Sequence, residues 1–155
     1  MRTHQYRGQP IKITDFSEDF EIARYEETLD GLKASGKYDG SFAYGSLIYN
    51  DEQPYIVGNI EEVTEDYVAL RYWVPVIPET VGELTGLPDK NGKEIYEGDI
   101  VRYREYNQFI NSTVYYHGGD VGYGCYIPFG NDMESCMGSD VIIIGNIHDN
   151  PELIK

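Results

Sequence analysis

Thiols, tryptophan and positive charge are what this chain of 155 residues has least of. Its two cysteines, Cys125 and Cys136, are too few for a disulfide framework or a four-ligand zinc site, and both read as ordinary reduced cysteines. Lys and Arg number 12 against 27 acids, a net charge of −15 with a pI near 4.4. That balance argues against binding a phosphate backbone or an anionic membrane surface. No apolar run approaches the roughly 18 residues of a membrane span, and the first residues lack the apolar core of a secretory signal. The expected location is therefore the cytoplasm. Leu- and Ala-rich helical runs are absent too, which leaves little room for a helical fold.

Aromatic residues, in contrast, are abundant: 15 Tyr and five Phe accompany the single Trp. Aromatic and β-branched side chains fit a pleated, half-buried surface, so the composition leans towards sheet. The length suits one domain, and a single domain over 1–155 is the default expectation. The acids are unevenly spread. Residues 51–70 hold six and no Lys or Arg, and residues 106–155 hold six and one Lys. The plain meaning is a solvated surface; the sharper one is a face complementary to a basic partner.

Periodicity divides the chain. MRTHQYRGQPIKI contains a short opening strand. DFSEDFEIARYEETLDGLKASG then changes to helical spacing, with Phe20, Ala23, Leu29 and Leu32 on one side and Ile22 and Tyr25 alongside. Ser17 is the expected N-cap and Gly36 the stop, which predicts one helix over about 17–35. From Tyr38 onward, FAYGSLIY, PYIVGNI and YVALRYWVPV are short alternating runs broken by turn residues, the signature of antiparallel strands. Pro75 and Pro78 place VPVIPETVG at a sheet edge or in a connector.

The most patterned stretch is TGLPDKNGKEIYEGDIVRY, residues 85–103. Asn91-Gly92 tolerates positive φ and Pro88-Asp89 starts the turn, so a hairpin reverses here. Gly98-Asp99 then bends the chain into IVRYREY, with Val101 and Tyr103 opposite Arg102 and Arg104. Gly86, Asp89, Asn91, Gly92, Gly98 and Asp99 are thus expected to form a structural corner, the carboxylates of Glu97 and Asp99 meeting backbone donors at the bend.

That stretch, preceded by VIPETVGEL and followed by VIIIGNIHDNPELI, resembles the signature and closing tail of the YopX family of phage and prophage proteins. YRG at 6–8 and YGSLIY at 44–49 are similar to its N-terminal pieces. Two departures stand out: DFSEDFEIARYEETLDGLKAS intervenes between those pieces like an insertion, and Leu84 replaces the family's aromatic before Thr-Gly-Leu. The resemblance implies a mainly-β fold around a small SH3-like β-barrel with antiparallel hairpins plus one inserted N-terminal α-helix. It also implies self-association and a phage or integrated element as source. It implies no reaction and no catalytic residue.

Nothing in the residues themselves restores an enzyme. His4, His117 and His148 form no metal-type spacing with each other or with a cysteine, and pairing His117 with Cys125 or Cys136 is an arithmetical coincidence. HGGDVGYG, residues 117–124, lacks the Gly-Lys-Ser/Thr end of a phosphate loop. Asp89-Lys90-Asn91-Gly92 begins like a calcium loop, but the twelfth position is Ile100. IVGNI at 56–60 and IIGNI at 143–147 are either two strands ending at a Gly-Asn turn or equivalent barrel strands. No catalytic residue, metal or cofactor is expected.

The leading expectation is therefore a non-enzymatic protein-binding or self-assembling module, using Tyr103, Tyr106, Phe109, Tyr115 and Tyr116 as its interface. An acidic nucleic-acid mimic or anti-defence protein, occupying a basic host protein, is the alternative. Direct binding of single strands on a barrel face conflicts with the charge.

Overall fold

The computed structural model describes residues 5–12, 19–116, 125–127, 131–132 and 140–154; for 19–22, 105, 116, 125–127 and 131–132 it describes the backbone alone. The chain divides into two compact units, one of residues 4–81 and one built mainly of residues 82–155. Both are mainly β, and every strand pair within them is antiparallel.

The N-terminal unit contains β1 (Tyr6–Gly8), α1 (Asp19–Ala34), β2 (Ala43–Asn50), β3 (Gln53–Val57), β4 (Ile60–Val63), β5 (Val68–Leu70) and β6 (Trp73–Pro75). Four of its strands stand in the order β6-β3-β2-β1. The prolines put β6 at the outside of this set, where a missing N–H costs no ladder bond. Across the sheet lies α1. Tyr25, Leu29 and Leu32 share a helix face at i, i+4 and i+7 and pack with Ala43, Ile56, Val74 and Val76. Ala23, expected on the inner face, is exposed; Ser17, Phe20 and Ile22 lie outside the described side chains.

The helix stops where the sequence predicts. Gly36 takes a φ of +74°, its N–H donates to the Lys33 carbonyl at 3.2 Å, and the Lys37 N–H donates to the Leu32 carbonyl at 2.8 Å. These two bonds are a Schellman cap, which needs a left-handed residue and so favours glycine.

One polar knot sits under this sheet. Arg7 is buried at 5% exposure, its guanidinium 4.2 Å from the centre of the Phe42 ring. Nearby, Asp39 accepts from the backbone N–H groups of Ser41 (2.8 Å) and Phe42 (2.7 Å) and from the Tyr44 hydroxyl (2.5 Å). Desolvation alone would raise the Asp39 pKa. The hydrogen bonds from Tyr44, Phe42 and Ser41 and the charge of Arg7 outweigh it and hold the carboxyl below its usual range.

The C-terminal unit comprises β7 (Gly82–Pro88), β8 (Glu94–Tyr96), β9 (Asp99–Glu105), β10 (Gln108–Thr113), β11 (Tyr115–Tyr116), β12 (Cys125–Ile127), β13 (Asn131–Asp132) and β14 (Ile142–Asn146). Here β7 pairs with β8, and two three-stranded sheets run β10-β9-β14 and β11-β12-β13. The core is Ile95, Val101, Tyr103, Val114 and Val141, with Leu87, Ile110 and Ile143 packed against it.

Among the described residues no sheet closes on itself. The small barrel implied by the family resemblance is therefore not what these strands form: β10 and β14 both pair with β9 and remain the two edges of an open sheet. The IVGNI and IIGNI echo also separates into two settings. Gly58 lies between strands under the Tyr72 ring, whereas Gly145 pairs with Ile100 inside β14 beside a register shift. They are not equivalent barrel strands.

Candidate interaction surface

The patterned stretch proves to be scaffold for the C-terminal unit. In it the Thr85 hydroxyl accepts from the Leu87 N–H at 3.1 Å around Gly86, whose φ is +80°. Asp89, 7% exposed, spends both oxygens on backbone: Oδ1 accepts from Asn91 (2.8 Å) and Lys93 (2.9 Å), and Oδ2 from Ile143 of β14 (3.2 Å). One carboxylate thus closes the β7–β8 hairpin and ties it to a distant strand. Gly92, with φ +82°, completes that turn.

Gly98 (φ +88°) and Asp99 do the same one strand later. The Asp99 carboxylate, 3% exposed, accepts from the Tyr96 N–H at 2.8 Å. The Gly98 N–H donates to the Val114 carbonyl, and its own carbonyl accepts from Ile147. The closing tail is equally structural. Asn146 Oδ1 accepts from the N–H groups of His148 (3.0 Å) and Asp149 (2.9 Å), and a side chain at Gly145 would collide with Asn150, 2.6 Å away.

On this scaffold stands the β9–β10 hairpin. Val101 and Tyr103 point into the core at 0% and 5% exposure, so Tyr103 is a core residue and not part of an exposed surface. The alternation of β9 decides this, with Val101 and Tyr103 on its inner face and Arg102 and Arg104 on the outer one. The outer face is a ladder of two cross-strand pairs, Arg104 with Phe109 and Arg102 with Asn111. Arg102 Nε donates to Asn111 Oδ1 at 2.8 Å, and Asn111 Nδ2 donates to the Leu153 carbonyl at 2.9 Å. This relay seats the 3-10 turn Pro151–Ile154 beside β10. Between them lies an open groove of about 400 Å³, lined by Arg102, Phe109, Ile110, Asn111, Leu153 and Ile154.

The hairpin ends in a two-residue loop, since Glu105 pairs with Gln108. Its first residue, Tyr106, is 94% exposed and has a φ of +52°; Phe109, three residues on, is 73% exposed. Of the five expected interface residues, the structure thus brings two together at this tip. Tyr115 is 38% exposed and belongs to the separate β11-β12-β13 sheet, as does the backbone of Tyr116, whose side chain is outside the described set. Arg102, Ile154 and the groove were not foreseen.

No group of three or more His, Cys, Asp or Glu that could hold a metal occurs among the described residues; His4, His117, Cys136 and residues 117–124 lie outside them. Nor, among the described residues, is any helix long and apolar enough to cross a membrane.

Open antiparallel sheets, a turn-rich corner and a protruding aromatic hairpin tip define a mainly-β protein whose patterned stretch serves architecture. The chain belongs to the YopX protein family, whose model matches residues 31–155. The match begins inside the last turns of α1, so most of the helix precedes it. A crystal structure of protein EF1440 from Enterococcus faecalis is also similar, at 23% identity, covering 71% of this chain and 86% of that one with a TM-score of 0.43. No curated protein matches the chain.

Proposed function

We propose that this chain is a phage- or prophage-encoded accessory protein that performs no reaction and acts by binding other proteins or further copies of itself. The observation that carries the reading is Tyr106. A bulky side chain at positive φ costs about 1–2 kcal/mol relative to ordinary backbone, and here the ring so placed is 94% exposed. The positive φ belongs to the two-residue loop, as it does at Asp51 between β2 and β3, but that turn has no need of an aromatic side chain; a ring kept there in water, with Phe109 also exposed three residues on, is suited to a partner. The adjoining groove offers that partner an apolar wall at Ile110, Leu153 and Ile154 and a cation at Arg102.

The test compares wild type with Tyr106→Ser/Phe109→Ser in sedimentation and in affinity capture against a second, differently tagged copy. Both substitutions are at exposed positions, so the fold is retained. Loss of self-association, or of a stoichiometric partner that survives high salt, is the expected result. A wild-type protein that stays monomeric and partnerless at every concentration contradicts the reading.

A second reading, an acidic mimic that occupies a basic host protein in an anti-defence role, draws on the charge. Residues 4–81 carry 15 acids against six Lys and Arg, and residues 82–155 carry 12 against five. A partner that is basic and released as salt rises would favour it over the first.

A further inference from the structure

The N-terminal unit contains a longer element than its strand boundaries suggest. Tyr55 pairs with Pro75, Ile56 with Val74 and Val57 with Trp73. The Gly58 N–H then donates to the Tyr72 carbonyl and the Arg71 N–H to the Asn59 carbonyl, both at 2.9 Å, and Ile60 pairs with Leu70. The register never breaks across this span, so β3–β4 and β5–β6 are the two legs of one hairpin. Its base is embedded in the sheet, β3 lying between β2 and β6. Among the described residues its distal half is paired only with itself, as β4 with β5.

Strand alternation assigns the faces. Ile56 and Val74, Gly58 and Tyr72, and Ile60 and Leu70 succeed one another on one side. A register shift at Glu61 then adds a residue, which returns Val63 and Val68 to that same side. At the base this face is covered. Ile56 and Val74 are fully buried in the cluster that includes Tyr25 and Leu32 of α1. Tyr72 packs over Gly58, where a β-carbon would stand 2.6 Å from its ring, and anchors its hydroxyl on the Tyr44 carbonyl at 2.7 Å. Beyond Tyr72 the cover ends: Ile60 is 61%, Val63 66% and Val68 55% exposed.

The opposite side of the distal half is polar, with the Tyr67 hydroxyl donating to Glu62 at 2.7 Å. The arm is therefore amphipathic with its apolar side bare. A two-stranded ribbon of this kind is marginal in water on its own, and contiguous exposed apolar residues rimmed by charge mark docking surfaces.

The charge indicates the occupant. Residues 51–70 carry Asp51, Glu52, Glu61, Glu62, Glu65 and Asp66 and no Lys or Arg. A second copy placed arm to arm would bring like charges together, and each unit of the chain is net acidic, so the charge of the arm is better complemented by a basic protein than by another copy. At the base, this same face already accepts a helix through Tyr, Leu and Leu.

We propose that the bare face formed by Ile60, Val63 and Val68, with half-buried Leu70 at its inner end, is a docking site for a basic amphipathic helix of a partner protein, laid on the arm as α1 is laid on its base. The inference rests on the reading of the chain as a protein-binding module and gives that reading a site and a partner chemistry distinct from the Tyr106 tip. The apolar strip supplies the contact, and Glu61 and Glu65 meet lysines or arginines at its rim.

The test uses the full chain and a synthetic peptide of about 15 residues with leucine on one helical face and lysine on the other. Wild-type protein binds it with an affinity that falls as salt rises. Val63→Asn/Val68→Asn weakens binding about tenfold or more, as expected when two apolar anchors are lost. Glu61→Gln/Glu65→Gln leaves the apolar face intact but flattens the salt dependence. Glu26→Gln/Glu27→Gln, which removes two exposed charges from α1 instead, changes affinity less than about twofold. Far-UV circular dichroism and Trp73 fluorescence verify that each variant keeps its fold.

Equal binding by all variants overturns the proposal, since net charge would then be the whole attraction; so does absence of binding by the wild type. Self-association abolished by Val63→Asn/Val68→Asn assigns the face to a second copy and overturns the basic partner. Each of these results leaves the protein-binding reading itself standing or falling on the Tyr106 tip, which Tyr106→Ser/Phe109→Ser tests separately.

Discussion

At Tyr106 two demands on a residue conflict, and the conflict is measurable. Tyr106→Gly relieves the left-handed strain, so the account expects a gain of about 0.5–1 kcal/mol in unfolding free energy, read from the denaturant midpoint, together with weaker association. Asp89 is the opposite case, because its carboxylate serves three backbone donors in a nearly buried position. Asp89→Ala should cost about 2–4 kcal/mol in the same measurement. Asp39 gives a pH signature. Its pKa is lowered in the folded state, so its stabilising contribution is present above the unfolded carboxyl value of about 3.9 and disappears as pH falls through the lower folded value. Thermal melts of wild type and Asp39→Asn should therefore differ at neutral pH and converge in acid. The turn residues among these were legible in the sequence, since Gly86, Asp89, Gly92, Gly98 and Asp99 shape their own turns, whereas the bonds joining Asp89 to Ile143 and Gly98 to Val114 and Ile147 are long-range and were not. Tyr103, expected at an interface, is already set by the alternation of β9 with Val101 opposite Arg102 and Arg104; the packing with Val114 and Val141 shows that face to be the inner one.

Among the elements, α1 was the most legible, because its period, its Gly36 stop and its inward Tyr25, Leu29 and Leu32 are local properties. The antiparallel strands were legible as existing but not as paired. PYIVGNI and YVALRYWVPV look like two separate runs, with nothing in either to say that they face each other. The structure joins them into one hairpin by register, which depends on contacts across the chain and not along it. The barrel failed for a related reason: closure is a property of edge pairing, on which local pattern is silent. The hairpin should show its two halves in amide hydrogen exchange. Ile56, Val57 and Val74 in its base should exchange far more slowly than Glu62, Val63 and Val68 in its distal half, because the base joins the larger sheet through β3, which lies between β2 and β6, and is covered by apolar packing. Uniform protection along the whole hairpin would contradict the free-standing arm.

For the whole chain, the dominant facts are an excess of 15 negative charges and membership of the YopX family. Such a charge keeps copies apart at low salt and raises the encounter rate with basic partners. It works against self-association through any acidic face, which leaves Tyr106, Phe109 and the Arg102 groove, where cations are present, as the region best suited to contact between copies. The acidic distal arm then suits a different, basic protein. The most direct measurement is affinity capture with wild-type and Tyr106→Ser/Phe109→Ser proteins from nuclease-treated bacterial lysate containing a second tagged copy, repeated across a salt series. The account predicts a stoichiometric companion, either that copy or another protein, that is retained at high salt by the wild type and lost by the double variant while both remain folded. Identical capture by the two proteins, or no companion for either, would contradict it.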